Sequence, residues 1–336
     1  MKKFYVPVLA LLMLASCSKS ELADRDVKSD MVEIKAASNA LSIETRQTRA
    51  PFEGNISSSN QLEALVLVSK TAGDYTTRYC EGVMAFSDTS TPASFATPQY
   101  YPVDDSEIYL CGLYPSVAAD WKNISTTADY TFDGKTDVMA AMQVTSKKST
   151  AASAVPAFEF KHLLTKLIVE VKAADDAAVT AWGNIVGLAV IKGDDSKVNS
   201  SVKVTLAGGE AVVAAFAAPL EDGLSCYLAG SDDAVSATNK ITLTTTAAEA
   251  AYSLVAPITA KDNSKPHFVL KVVTNNGGTD LEKEVPVTLQ KDGATLADNT
   301  QGKAFKITLT FKATDIQATA SVTPWGEGGS SDVEIQ

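Results

Sequence analysis

The 336-residue sequence predicts an all-β fold built from β-sandwiches. Many short segments alternate apolar and polar residues, or are apolar throughout, as half-buried and fully buried strands are. No segment carries a long 3.6-residue periodicity, so long helices are not expected. Turn signals recur about every 10 residues. Among them are pairs that supply the positive φ angles of tight hairpins: Asp133-Gly134, Gly208-Gly209, Asp222-Gly223, Gly277-Gly278 and Asp292-Gly293.

The predicted strands cover most of the chain. The first, at residues 32–43, alternates only weakly. Residues 62–68 are apolar almost throughout, which predicts a strand buried on both faces. Clean alternation from Phe305 to Phe311 predicts a strand with one buried face. Further strands are predicted over 202–206, 241–243, 268–273 and 285–289.

The segment 158–171 changes the phase of its apolar positions midway. Phe158 and Phe160 share one phase, whereas Leu167 and Val169 share the other. Such a segment carries a bulge, crosses between two sheets, or is buried on both sides. The residues alone leave these three alternatives open.

Length and charge limit the organisation and the partners. About 315 residues follow the N-terminal signal described below, which predicts about two domains. We place them at 50–154 and 155–336. The net charge of −11 and the pI of about 4.8 argue against nucleic-acid binding, which needs clustered Lys and Arg.

Residues 1–16 predict a secretory signal. Two lysines precede an apolar run from Phe4 to Ala15, which is shorter than the roughly 20 residues that span a bilayer. The sequence Leu-Ala-Ser-Cys ending at Cys17 resembles a bacterial lipobox, so we expect lipidation of Cys17 and anchoring in a membrane. An ordinary signal peptide with an accidental cysteine is the alternative. The charged residues 18–32 predict a tether.

A loop follows the first predicted strand. It contains Arg46 and Arg49, followed by Pro51 and Gly54. Both arginines are expected to be accessible. They are either ordinary loop residues or sites of proteolytic processing.

No set of residues predicts catalysis, a metal site or a cofactor site. The nucleophile, zinc and phosphate-binding motifs do not occur in the sequence. His162 and His267 are interpreted as structural strand residues, because no nucleophile motif accompanies them. Acidic pairs such as Asp194-Asp195 are interpreted as solvated turns rather than Ca²⁺ ligands.

The remaining cysteines and aromatic residues are interpreted as core. After Cys17 the sequence has Cys80, Cys111 and Cys226, an odd number that leaves at least one thiol free. Buried thiols are favoured over a Cys80–Cys111 disulfide. Six aromatic residues lie between Tyr100 and Tyr130, and we expect them to fill a core rather than to stack on sugars.

Several motifs together resemble the Bacteroidales fimbrillin family, the type V pilins and their Mfa-like relatives. The resemblance runs from the lipobox to a final strand with a tryptophan. Each motif is weak alone, and their order and spacing carry the likeness. The matching positions are Cys17, Arg49, Tyr101-Pro102, Tyr114-Pro115, residues 137–140, Phe160, His162, Lys166, Leu167 and Trp325.

This resemblance implies a fold and an assembly mechanism. The fold would be two tandem transthyretin-like Greek-key β-sandwich domains. The lipidated precursor would reach the cell outer membrane, where an Arg-specific protease cuts after Arg46 or Arg49. The cut removes the tether and the first strand, represented by Val32, Ile34, Leu41 and Ile43.

The loss of that strand would open a groove that another fimbrial subunit fills. A sandwich without a strand exposes unpaired backbone groups and an apolar slot, which strand addition satisfies. Contacts between two different surfaces build open filaments. The candidate donor positions are Ile316, Ala318, Ala320, Val322, Val333 and Ile335.

The function expected is a structural subunit of a surface fimbria, with a contribution to adhesion. The tail beyond Trp325 is short and rich in Gly and Ser, which also allows a minor, tip or anchor subunit. The alternative is an uncleaved outer-membrane lipoprotein that binds glycan or protein. An enzyme is not expected, because no catalytic set supports one.

Overall fold

The structure is a computed structural model. It describes residues 31–38, 56, 58, 60–87, 91–151, 153–194, 196–206, 213–258, 265–291, 294–296 and 300–323. The described residues are mainly strands, so the predicted all-β class is confirmed. Two helices are short, α1 (Lys148–Ala151) and α2 (Asp176–Trp182), and a 3₁₀ turn covers Ala118–Asp120.

The strands are numbered in chain order. The first ten are β1 (Lys35–Ser38), β2 (Leu62–Ser69), β3 (Cys80–Phe86), β4 (Ala93–Ser94), β5 (Ile108–Tyr114), β6 (Trp121–Lys122), β7 (Thr127–Thr131), β8 (Met139–Ser146), β9 (Ala157–Phe158) and β10 (Phe160–His162). The others are β11 (Thr165–Ala173), β12 (Asn184–Gly193), β13 (Ser196–Lys197), β14 (Asn199–Thr205), β15 (Val213–Pro219), β16 (Leu224–Ser225), β17 (Tyr227–Leu228), β18 (Ile241–Thr242), β19 (Ala248–Val255), β20 (Phe268–Asn276), β21 (Thr279–Val287), β22 (Gln290–Lys291), β23 (Ala294–Thr295), β24 (Ala304–Phe311) and β25 (Ile316–Thr323).

Two sheets organise the N-terminal part. A five-stranded antiparallel sheet has the order β10-β8-β5-β2-β3. A small sheet, β4-β1-β9, packs its apolar residues into the same core as one face of the five-stranded sheet. We name this the second core cluster. Strand β1 is therefore the central strand of the small sheet.

Two larger sheets organise the C-terminal part. The first has the order β17-β19-β11-β24-β25-β22-β23, with β11 and β24 parallel. The second has the order β13-β12-β20-β21 and pairs β16 and β18 with β12. Inward residues of both sheets, such as Leu167, Ile307 and Leu270, belong to one buried core cluster, which we name the first core cluster.

A fifth sheet joins strands from both sides of residue 154. Its order is β15-β14-β7-β6, and β14 pairs antiparallel with β7 over five residues. The first core cluster likewise contains Trp121 and Tyr130 together with Leu167. The division into domains near residue 154 stays a prediction, and strands pair across it in this sheet (β7 with β14) and in both N-terminal sheets (β1 with β9, β8 with β10).

Strand β2 shows why an apolar run needs two cores. Leu65 and Leu67 belong to the first core cluster, whereas Ala64, Val66 and Val68 belong to the second. Successive side chains of a strand point to opposite faces, so both faces of β2 are buried. The prediction for residues 62–68 is confirmed.

The phase change in 158–171 marks a crossing between sheets. Strand β10 ends at His162 in the five-stranded sheet, and β11 begins at Thr165 in the seven-stranded sheet. Leu163 and Leu164 between them are fully buried. Of the three alternatives left open by the sequence, the crossing is the one observed.

Candidate functional site

The candidate site is the place that the predicted removable strand occupies. Residues 32–38 lie between residues 93–101 on one side and residues 156–158 on the other. We name this space the strand slot. Strand β1 runs antiparallel to β4 and parallel to β9, so both of its edges are paired.

Backbone hydrogen bonds hold this segment on both sides. The Ile34 amide donates to the Gln99 carbonyl at 2.7 Å, and the Tyr101 amide donates to the Val32 carbonyl at 2.9 Å. On the other side, the Ala37 amide donates to the Pro156 carbonyl at 2.9 Å. Loss of the segment would leave these slot groups without their partners, and buried unpaired backbone groups are costly.

The inward side chains of the segment form a size pattern. Ile34, Ala36 and Ser38 are all 0% exposed, so the slot accepts one large residue followed by two small ones. Glu33 and Lys35, on either side of Ile34, lie outward and form an ion pair at 3.2 Å. Burial of one Ile side chain contributes about 1.5–3 kcal/mol, which makes Ile34 the main apolar anchor.

An aromatic cluster belongs to the same core as Ile34. The rings of Phe86, Phe158 and Phe160 meet edge to face, with centroids 5.7–6.0 Å apart. Gly112 makes this arrangement possible, because a Cβ there would lie 2.6 Å from the Phe160 ring. Side chains from β3, β9 and β10 therefore form the aromatic part of the core beneath the slot.

Tyr101 fixes the wall of the slot formed by residues 93–101. Its side chain is buried, and its hydroxyl forms a 2.9 Å hydrogen bond with the Ser146 hydroxyl on β8. A rigid wall keeps the acceptor and donor groups of the slot in place. The Tyr101-Pro102 motif singled out in the sequence therefore has a structural role at the slot.

Some residues of the predicted removable strand lie in the slot, and the others lie outside the described residues. Val32 and Ile34 lie in the slot, where Val32 packs partly against the second core. Cys17, Leu41, Ile43, Arg46 and Arg49 lie outside the described residues. Lipidation and cleavage at these positions stay predictions.

The predicted donor positions also divide. Ile316, Ala318, Ala320 and Val322 lie in β25, which pairs with β24 over eight residues. Ile316 and Ala320 are buried in the first core. Val333, Ile335 and Trp325 lie outside the described residues. In this structure β25 is thus an integral strand of its own sheet.

Two motifs from the family resemblance meet in the fold. Asp137 and His162 are buried, and Asp137 Oδ2 lies 2.7 Å from His162 Nδ1. The pair ties the start of β8 to β10. His267 is also buried, with Nε2 at 2.8 Å from the Leu296 carbonyl. Both histidines are thus buried and hydrogen-bonded, His162 at the end of β10 and His267 directly before β20.

Cys80, Cys111 and Cys226 are free thiols in the structure. Burial raises the pKa of Cys111 and Cys226 to about 12 and the pKa of Cys80 to about 11. Thiolates are the reactive form, so these cysteines are unreactive near neutral pH. Within the described ranges, no group of three or more His, Cys, Asp or Glu side chains is placed to hold a metal ion.

The helices of the described part of the chain are short. None of them is long and apolar enough to cross a membrane.

The distribution of arginine along the sequence is uneven, which the motifs considered above do not reveal. The sequence has 25 lysines but four arginines, Arg25, Arg46, Arg49 and Arg78. After residue 49 there are 20 lysines and one arginine. A count of arginine separate from lysine would have found this asymmetry from the sequence.

Arg78 is held by its neighbours. Its Nε lies 2.6 Å from Glu81 Oε2, and Nη1 donates to the Tyr75 carbonyl at 3.2 Å. Its side chain is 31% exposed. Cleavage needs an extended chain and a free arginine side chain, so these contacts oppose it.

Comparisons with known proteins agree with the resemblance. The family profile described as fimbrillin-like matches residues 48–325. A solved candidate cell adhesion protein from Bacteroides uniformis is similar in fold, with 16% identity, a TM-score of 0.51 and coverage of 88% of this chain and 99% of that one. A second from Bacteroides ovatus has 14% identity, a TM-score of 0.51 and coverage of 88% and 98%. A search of curated proteins gives no match.

The profile match covers most of the chain and includes the motifs at Tyr101, Asp137 and His162. The chain belongs to the fimbrillin-like family.

Proposed function

We propose that this chain is a subunit of a cell-surface fimbria that assembles by proteolytic processing and donor-strand exchange. Cleavage after Arg46 or Arg49 separates residues 32–38 from the body of the protein. The strand slot then accepts a strand from another fimbrial subunit. The proposal extends to a lipid on Cys17 that holds the precursor at the outer membrane before cleavage.

The observation that carries this proposal is the way residues 32–38 are held. They are buried at the inward positions, yet the two strands beside β1, β4 and β9, have only two residues each. In the precursor, the connection to β2 keeps them at high effective concentration next to the slot. A cut between residue 38 and β2 removes that advantage, so another strand can replace them.

The arginine distribution supports processing by an Arg-specific protease. Three of the four arginines precede residue 50, and the fourth is Arg78, which is ion-paired with Glu81. Lysine supplies the cations of the remaining chain. A protease that cuts after arginine, and not after lysine, would trim the N-terminal segment and spare the body.

The test is treatment of the purified full-length precursor with an Arg-specific protease. We expect a new N-terminus after Arg46 or Arg49 and a ladder of polymers on an unboiled gel. Cleavage at these arginines without any polymer would contradict strand exchange. A mature surface protein from cells that still begins at lipidated Cys17 would favour an anchored lipoprotein instead.

A further inference from the structure

The imidazole of His267 has both of its ring nitrogens bonded to backbone groups. His267 directly precedes β20 and is 0% exposed. The Leu289 amide donates to Nδ1 at 3.1 Å, and Nε2 lies 2.8 Å from the Leu296 carbonyl oxygen. An amide N–H donates and a carbonyl oxygen accepts, so Nδ1 carries no proton and the Nε2–H group donates. The surroundings therefore select the neutral imidazole in a single tautomer.

The two bonds to the ring lie at the base of the hairpin formed by β22 and β23. Leu289 directly precedes β22, Leu296 directly follows β23, and the Leu296 amide donates to the Leu289 carbonyl at 2.9 Å. Both leucines are buried in the first core cluster. Among the described residues, the ladder between β22 and β25 consists of one pair, Gln290 with Ser321. The hairpin is thus attached to its sheet over a short length, and His267 holds its base.

We propose that neutral His267 is an acid-sensitive latch that keeps β22 and β23 on the outer edge of β25. A proton taken from solvent onto Nδ1 would set a second donor against the Leu289 amide, so their hydrogen bond is lost. The bond from Nε2 to Leu296 remains, but the Leu289 amide is left without its acceptor, which is unfavourable for a buried donor. Strands β22 and β23 then separate from β25 and leave one of its edges unpaired. This inference is independent of the proposed strand exchange.

The direction of the pH effect follows from which state takes up the proton. A histidine in an open, solvated segment binds a proton near about pH 6.5. The closed latch requires the unprotonated ring, so the open state binds more protons and acid favours it. One proton per opening raises the opening equilibrium constant by up to about tenfold for each pH unit below that point. The latch is therefore closed at neutral pH and weakened in mildly acidic surroundings.

Charged residues near the ring define the controls. At the His267 end of the surrounding elements, the described charged residues are Lys192, Asp194, Lys265, Glu284 and Lys291. Lys192 and Glu284 form an ion pair at 3.5 Å. The Asp194 amide donates to the His267 carbonyl at 2.8 Å, so the effect of this acid has to be separated from that of the ring. Asp194→Asn removes the charge and suits the positive φ of 48° at this position, which Asn tolerates.

Hydrogen exchange of the uncleaved full-length chain tests the latch. Protection factors, which correct for the pH dependence of intrinsic exchange, are compared between about pH 7.5 and about pH 5.5. We expect the protection of the Leu289 amide to fall by about tenfold. The Leu163 amide, bonded to the Val138 carbonyl, should keep its protection. An equal fall at both amides, or no fall at Leu289, would overturn the inference.

Two variants separate His267 from Asp194. His267→Asn offers a side-chain oxygen as an acceptor but does not titrate, so the protection of Leu289 should be the same at both pH values. Asp194→Asn should show the same fall as the unaltered chain. Loss of the fall in Asp194→Asn would assign the effect to that carboxyl group and overturn the inference.

Nuclear magnetic resonance of the unaltered chain tests the tautomer without any variant. The sequence has two histidines, so ¹⁵N-labelled histidine gives two imidazole spin systems. Nδ1 of His162 lies 2.7 Å from Asp137 Oδ2 and is expected to carry a proton, whereas Nδ1 of His267 is expected to carry none. A proton on Nδ1 of both rings at about pH 7.5 would contradict the latch.

Discussion

Two strands at opposite ends of the chain were predicted to take part in exchange, and the structure holds them differently. Strand β1 is four residues long and lies between two strands of two residues each. Strand β25 is eight residues long and pairs with β24 along its whole length. A buried Ile lies at the start of each, Ile34 directly before β1 and Ile316 as the first residue of β25.

We infer that β1 is the easier of the two strands to replace, because its ladders to β4 and β9 are two residues each, whereas β25 pairs with β24 over eight residues. The aromatic cluster beneath β1 is supplied by other strands. By contrast, β25 covers part of the first core with Ile316 and Ala320. The alternating pattern is similar in both strands, so the sequence alone does not separate a replaceable strand from an integral one.

The largest expected effect comes from the cleavage sites that precede the body. In the variant Arg46→Lys/Arg49→Lys the charge is kept, but an Arg-specific protease has no site between β1 and β2. We expect complete loss of processing and of polymer on an unboiled gel. Polymer formation by this variant would contradict the need for β1 to leave.

A second effect distinguishes the precursor from the cleaved protein. Ile34→Ala is expected to lower the unfolding free energy of the precursor by about 2–5 kcal/mol, because it removes a buried side chain. After cleavage and loss of residues 32–38, the two proteins should unfold at the same denaturant concentration. Lys35→Ala, at an outward position, serves as the control.

The matching substitution in β25 should behave in the opposite way. Ile316→Ala is expected to lower stability by about 2–5 kcal/mol both before and after cleavage, since β25 stays in its sheet. Gln317→Ala is the exposed control. If the effect of Ile316→Ala vanished after cleavage, β25 would be the strand that leaves, and the comparison would be reversed.

The smallest effect concerns the arginine within the body. Glu81→Gln removes the ion pair of Arg78, and exposed pairs contribute up to about 1 kcal/mol. We expect up to about fivefold faster cleavage at Arg78 by the Arg-specific protease, measured by mass spectrometry. A control variant, Glu63→Gln, leaves the Arg78 contacts intact and should leave the rate unchanged.

Much of the fold follows from local patterns in the sequence. The apolar run in β2 and the alternation in β24 predicted strands that the structure contains, because burial of one or two faces fixes the side-chain period. The crossing between β10 and β11 appeared only as one of three alternatives. A phase change records that a segment changes its environment but not which sheet it joins.

The slot itself depends on contacts between distant residues. Val32 and Ile34 were identified as strand residues, whereas their partners, Tyr101 and Gln99, lie more than 60 positions away. Pairing partners in a sheet are set by topology, which single-sequence patterns do not specify. The scarcity of arginine after residue 49 was visible in the sequence, whereas the hydrogen-bond partners of the slot were not.

The most direct measurement is hydrogen exchange at the Tyr101 amide, which donates to the Val32 carbonyl. We predict slow exchange in the precursor, fast exchange in the cleaved monomer and slow exchange again in the polymer. The Leu163 amide, bonded to the Val138 carbonyl inside the body, should stay slow in all three. Unchanged slow exchange at Tyr101 in the cleaved monomer, with residues 32–38 released, would contradict the account.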